Sequence, residues 1–88
     1  MDEFNKRLEN INVFLEIHQY DSIFPICDSI LNEDFSPKEK AQVYFIMAST
    51  YNQLEKYTEA LANYSSCIEL DSNKEYAYVR KSESYYLN

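Results

Sequence analysis

The side chains able to do chemistry are few. His18 is the single histidine, and Cys27 and Cys67 are the two cysteines. A Cys27–His18 pair is the one nucleophile–base arrangement on offer. Cys27, however, falls in the apolar register of a helical pattern, and a buried thiol is inert. His18 falls where the first helix should end and is read as a cap on that end or its turn. Neither cysteine has a second cysteine or a histidine at metal-ligand spacing, and one histidine allows no H-E-x-x-H motif. The 15 acidic residues scatter over helix surfaces instead of forming a facing pair in a cleft. Glycine is absent, where average usage would give about six. Phosphate-cradling loops and nucleophile elbows need glycine, so both are excluded. The chain therefore reads as non-enzymatic, with no cofactor, no metal and no catalytic residue.

The charge balance narrows the partners. The net charge is −7, and from Leu8 to Pro37 there are six carboxylates (Glu9, Glu16, Asp21, Asp28, Glu33, Asp34) without a lysine or arginine. Nucleic acid and anionic membranes reward clustered cations, so neither is expected as a partner. The longest apolar runs fall far short of the roughly 18 residues of a membrane span, and "MDEFNKRLEN" is unlike a presequence. Reduced thiols on apolar helix positions fit the cytoplasm or the nucleus.

With 88 residues there is room for one small domain, 1–88. A domain of this size buries only about 60% of its unfolded surface, which favours association or well-formed helices. Five helical segments follow from apolar spacing at i+3 and i+4. The first covers about 2–18, with Phe4, Leu8, Ile11 and Leu15 on one stripe. Val13, Phe14 and Ile17 widen that stripe, so burial on more than one side is expected. The second covers about 21–33, with Ile23, Phe24, Cys27, Ile30 and Leu31, and tolerates Pro25 in its first turn. Ser36-Pro37-Lys38-Glu39 is a capping box with proline at the first helical position. It starts the third helix, which runs to about Gln53. The fourth runs from about Tyr57 to Leu70. Ser72-Asn73-Lys74-Glu75 repeats the S-x-x-E spacing and opens the fifth, to the chain end.

The pattern repeats. Tyr44 and Tyr51 recur 34 residues later as Tyr78 and Tyr85. Towards the N-terminus the offset is 37: Tyr20 answers Tyr57, and Ile23, Cys27, Ile30 and Leu31 answer Ala60, Tyr64, Cys67 and Ile68. A hairpin of two amphipathic helices cannot bury its apolar face alone, so repeats at this spacing imply stacked hairpins.

The stretch from Ala41 to Lys74 resembles a tetratricopeptide repeat, the 34-residue helix-turn-helix unit. The matching residues are Tyr44, Met47, Ala48, Tyr51, Leu54, Tyr57, Ala60, Leu61, Tyr64, Cys67, Ile68 and Leu70. Two departures stand out: the usual turn glycine is Glu55 and the usual terminal proline is Ser72. The resemblance implies an all-α, right-handed superhelix (an α-α solenoid) of about five helices, two hairpins plus one capping or truncated helix. On this reading 2–33 is a degenerate repeat, 37–71 a strong one and 73–88 a half repeat. Small Ala48, Ala60 and Cys67 allow close helix approach, and Tyr44, Tyr51 and Tyr64 fill the spaces between hairpins.

The family's pattern implies a partner groove from Asn12 on the first helix, Gln42, Phe45, Ser49 and Asn52 on the third, and Tyr76, Val79, Arg80 and Glu83 on the fifth. Arg80 falls at the arginine site of the co-chaperone subclass that binds acidic peptide tails. The other clamp positions read Leu8, Ile46 and Tyr76, and an anionic peptide needs several cations at once. "FSPKEKAQVYFIMASTYNQLEKYTEALANY" also resembles the N-terminal repeats of the scaffold subunits of the anaphase-promoting complex, in which such segments form homodimers. The expectation is thus a scaffold module that meets protein partners, by self-association first and by peptide binding in the groove as the alternative. Plain solvent exposure of each groove residue, or its cover by a following helix, is the competing reading.

Overall fold

The computed structural model describes residues 2–73 and 78–82, and all of its regular elements are helical. Four α-helices carry the fold: α1 (Glu3–Glu16), α2 (Ile23–Leu31), α3 (Pro37–Gln53) and α4 (Tyr57–Leu70). One 3-10 turn, Tyr20–Ser22, leads into α2. Residues 78–82 are helical too. The rest of the expected fifth helix, with Tyr76, Glu83, Tyr85 and the Lys74-Glu75 end of its capping signal, lies outside the described residues. Among the described residues no helix is long and apolar enough to cross a membrane. The chain divides into two compact units, 1–35 and 36–88.

In the first unit α1 starts on Asp2, whose carboxylate accepts the Asn5 amide at 2.8 Å. That cap satisfies one of the orphan donors of the first turn. At the other end the Gln19 amide donates to the Phe14 carbonyl at 2.9 Å and the His18 amide to that of Leu15 at 3.2 Å. These are the paired bonds of a Schellman motif, and they place His18 at φ 58°, in the left-handed region. The helix therefore ends at Glu16, two residues short of the expected His18, because His18 is the reversal itself. α2 begins at Ile23 instead of Asp21, since 20–22 wind as the tighter 3-10 turn. Pro25 is its third residue, where no intrahelical N–H is required.

Phe4 and Ile11 of α1 and Ile23, Cys27 and Ile30 of α2 are buried, and the two helices pack together. The expectation that α1 is buried on more than one side is corrected: Val13 is 54% and Ile17 56% exposed. Phe4 and Ile11 sit seven apart on one face. Val13 and Ile17 are four apart on another, which the described residues leave open to solvent.

The second unit is the more regular hairpin, with α3 packed along α4. Ser36 accepts the Glu39 amide at 3.2 Å while the Glu39 carboxylate accepts the Ser36 amide at 3.0 Å. The capping box is thus complete, and Pro37 at the first helical position has no donor to leave unpaired. The turn between α3 and α4 is a second Schellman motif. Lys56 donates to the Tyr51 carbonyl at 2.9 Å and Glu55 to that of Asn52 at 3.0 Å, with Glu55 at φ 60°. Ala41, Ala48, Ala60, Tyr64 and Cys67 form the buried cluster, flanked by the half-buried Tyr44, Phe45, Tyr51 and Ile68. Small residues on both helices admit the close approach, and Tyr64, the largest fully buried side chain among the described residues, fills the space left between them. Val43, Met47 and Thr50 add a second buried stripe to α3. Thr50 satisfies its hydroxyl on the Ile46 carbonyl at 2.8 Å, one turn back.

The two hairpins share one register. Phe4, Ile11, Ile23, Cys27 and Ile30 precede Ala41, Ala48, Ala60, Tyr64 and Cys67 by 37 residues each, and all ten are buried. The left-handed residues His18 and Glu55 keep the same offset.

Candidate functional site

The expected groove residues on α3 do share a face. Gln42, Phe45, Ser49 and Asn52 recur at spacings of three and four and are all half-buried. Phe45 tilts against the Tyr64 ring with centroids 5.7 Å apart, and the Ser49 and Tyr64 hydroxyls share a hydrogen bond of 3.3 Å. Tyr64 thus supports this face from beneath through both its ring and its hydroxyl. The stripe offers an amide, an aromatic edge, a hydroxyl and a second amide in order along about three turns of helix. It can hydrogen-bond an extended backbone or a polar side chain, and it supplies no charge.

Asn12 is exposed on α1, in the other unit. Val79, 60% exposed, and Arg80, also exposed, lie on the helical stretch 78–82. Tyr76 and Glu83 lie outside the described residues. The structure therefore assembles four of the nine expected residues on one element.

A second arrangement was missed by sequence reasoning. In the first unit the Arg7 guanidinium holds the Glu33 carboxylate with two nitrogens, Nη1 to Oε2 and Nη2 to Oε1, the latter at 3.0 Å. Nη1 also reaches Ser29 Oγ at 3.1 Å, and Nε donates to Glu3 Oε1 at 3.2 Å. Ser29 in turn donates to Glu33 Oε2 at 3.1 Å. The guanidinium lies 5.9 Å from the centroid of Phe35, whose ring meets Phe4 at 5.5 Å. Hydrogen bonding to Arg7, and secondarily to Ser29, holds the Glu33 carboxyl below its ordinary range, although burial pushes the other way. The bond to Glu33 likewise raises Arg7. Beside the cluster is an open cleft of about 450 Å³ bordered by Lys6, Arg7, Asn10, Pro25, Ile26 and Ser29. The signal in the sequence was the pair of i,i+4 spacings, Glu3–Arg7 and Ser29–Glu33. Nothing in the sequence joined the two pairs.

Cys27 and Cys67 are fully buried, and burial, aided by the nearby Asp28 charge, pushes the Cys27 thiol up to about 12. His18 Nδ1 and the Tyr20 hydroxyl share a 2.8 Å hydrogen bond, and their rings meet edge to face. Among the described residues no three His, Cys, Asp or Glu side chains gather where they could hold a metal ion.

Among the described residues, fold and site together define an all-helical arrangement of two hairpins in a common register, with a polar stripe on one face of α3. Comparison with protein-family models, with curated proteins and with solved structures found no match.

Proposed function

We propose that the chain is a non-enzymatic protein–protein interaction module of the tetratricopeptide-repeat kind, which self-associates through its N-terminal helices within a larger assembly. A scaffold like that of the anaphase-promoting complex is the specific form of this reading, and the cytoplasm or nucleus its setting. The observation that carries it is the 37-residue register, in which five buried positions and one left-handed turn recur from hairpin to hairpin. A chain built by repeating one hairpin buries each hairpin's face on its neighbours and reserves its ends and its open helix faces for partners. Val13 on α1 and Ile17 at its C-terminal cap, both exposed, supply the apolar surface that self-association through the N-terminal helices requires.

Light scattering over a concentration range tests this. The mass should rise towards twice the 10.5 kDa of the chain, and Val13→Glu with Ile17→Glu should return it to the monomer while leaving helicity intact. A strict monomer at every concentration would falsify self-association.

A second reading, a co-chaperone-type adaptor that takes a peptide in its groove, is favoured by the stripe Gln42, Phe45, Ser49 and Asn52. In that case a peptide binds the monomer, and Phe45→Ala or Arg80→Ala weakens binding while Val13→Glu does not.

A further inference from the structure

The segment after α2 is tied down by charge. Arg7, on α1, grips Glu33 with both terminal nitrogens, Ser29 bridges them, and the same guanidinium lies against the Phe35 ring. Every group in the cluster borders solvent, with the Arg7 side chain 22% and that of Glu33 42% exposed. Apolar support comes from one ring, Phe4, against Phe35. Residues 32–35 are the last of the first unit before Ser36 opens α3.

From this geometry we infer that Arg7 and Glu33 form a salt-sensitive latch that holds residues 32–35 onto α1, so that ionic strength controls the order of the segment leading to the second hairpin. An isolated surface ion pair contributes little, but a bidentate arginine with a bridging hydroxyl and a second carboxylate is the network geometry that contributes more. The Debye length is about 8 Å at physiological salt and about 3 Å at 1 M, so screening reaches the 3.0 Å contact of this solvent-bordering pair only at high salt. Release therefore requires no change in the apolar core. The latch lies wholly within the first unit and does not depend on which partner the module meets.

Amide hydrogen exchange on the 88-residue chain tests it, read at Asn32, whose amide donates to the Asp28 carbonyl at 3.1 Å, and at Ile11 in the middle of α1. Arg7→Gln and Glu33→Gln should each speed exchange at Asn32 by about two- to tenfold, the change that an interaction of this class converts to. The double variant should fall well short of the product of the two single effects, because both singles remove the shared Arg7–Glu33 contact. Raising salt to 1 M should speed Asn32 in the wild-type chain and leave the double variant unchanged, with Ile11 steady throughout. Additive effects of the two substitutions, an Asn32 rate indifferent to salt, or equal acceleration at Ile11 and Asn32 would each overturn the latch. The salt titration needs no variant, so a failure of either to fold leaves the inference testable.

Discussion

Glu55 follows His18 by 37 residues and holds the same backbone conformation, φ 60° against 58°, at the same place in the same helix-ending motif. Each is a side-chain-bearing residue in a conformation that glycine adopts freely and that costs other L-residues about 1–2 kcal/mol. Glu55→Gly should therefore stabilise the chain by about 0.5–1 kcal/mol, a rise in melting temperature of a few degrees for a domain of this size. Glu55→Val should lower it by a similar amount or more. His18→Gly should gain less than Glu55→Gly, because it also gives up the hydrogen bond with Tyr20. Thermal melts followed by circular dichroism decide the order of the three.

Ser36 and Glu39 satisfy each other's amides at the start of the 17-residue α3. Ser36→Ala removes one of these bonds and should cost about 1 kcal/mol. Ser36→Asp, which keeps an acceptor and adds a negative charge at the positive end of the helix dipole, should restore most of that loss. Urea midpoints at fixed slope measure both.

Tyr64 is fully buried and reaches both the Phe45 ring and the Ser49 hydroxyl. Tyr64→Phe keeps the ring and should cost about 0.5–1.5 kcal/mol through the lost hydrogen bond. Tyr64→Ala leaves a cavity between α3 and α4 and should cost about 3–5 kcal/mol, a large share of a small domain's stability. Ala48→Leu errs the other way and should cost about 1–3 kcal/mol by overpacking the helix contact. Equal losses for Tyr64→Phe and Tyr64→Ala would show that the ring carries no packing.

The Cys27 thiol is raised to about 12 by burial, with the Asp28 charge adding to it. In the unfolded chain the same thiol ionises near its ordinary 9.0. The stabilising effect of keeping it neutral is whole below pH 9 and is lost progressively as pH rises from there towards 12. Labelling by a thiol reagent at pH 8 should be limited by opening of the first unit and should accelerate sharply in denaturant. Rapid labelling of the native chain would contradict the burial.

Glu33 titrates with the opposite sign. Its folded carboxyl is held low by Arg7, so its contribution is present above the ordinary carboxylate value of 4.5 and is lost as pH falls through the lower folded value. Stability of the wild-type chain should therefore drop more steeply below pH 4.5 than that of Glu33→Gln. Parallel acid melts of the two proteins measure the difference.

The limits of α3 and α4 were legible in the sequence because each is fixed locally: by a capping box at Ser36 and by the turn at Glu55. The 37-residue correspondence was legible as well, since buried positions keep their spacing even where the residues differ in size. The ends of α1 and α2 were harder. An apolar Ile17 continues the helical pattern past the point where His18 reverses the chain, and a 3-10 turn at 20–22 leaves no distinct signature. The second buried stripe of α3 was hidden because Val43, Tyr44, Phe45, Ile46 and Met47 are apolar without a break, so periodicity cannot say which faces are covered. Of the site, the four residues on α3 follow from helical spacing alone. The Arg7–Glu33 pairing joins residues 26 positions apart, and such pairings depend on how two helices meet.

The shared register also bears on recombination. Positions 11 and 48 hold isoleucine and alanine, 23 and 60 isoleucine and alanine again, and 27 and 64 cysteine and tyrosine, all with no exposed surface. The bulk that one hairpin distributes over several aliphatic residues the other gathers into a single tyrosine. Exchanging or duplicating whole hairpins at the boundary before Ser36 keeps each set of volumes together. Exchanging a single helix between them would set each helix against a partner of different side-chain volumes, so the packing unit of this chain is the hairpin and not the helix.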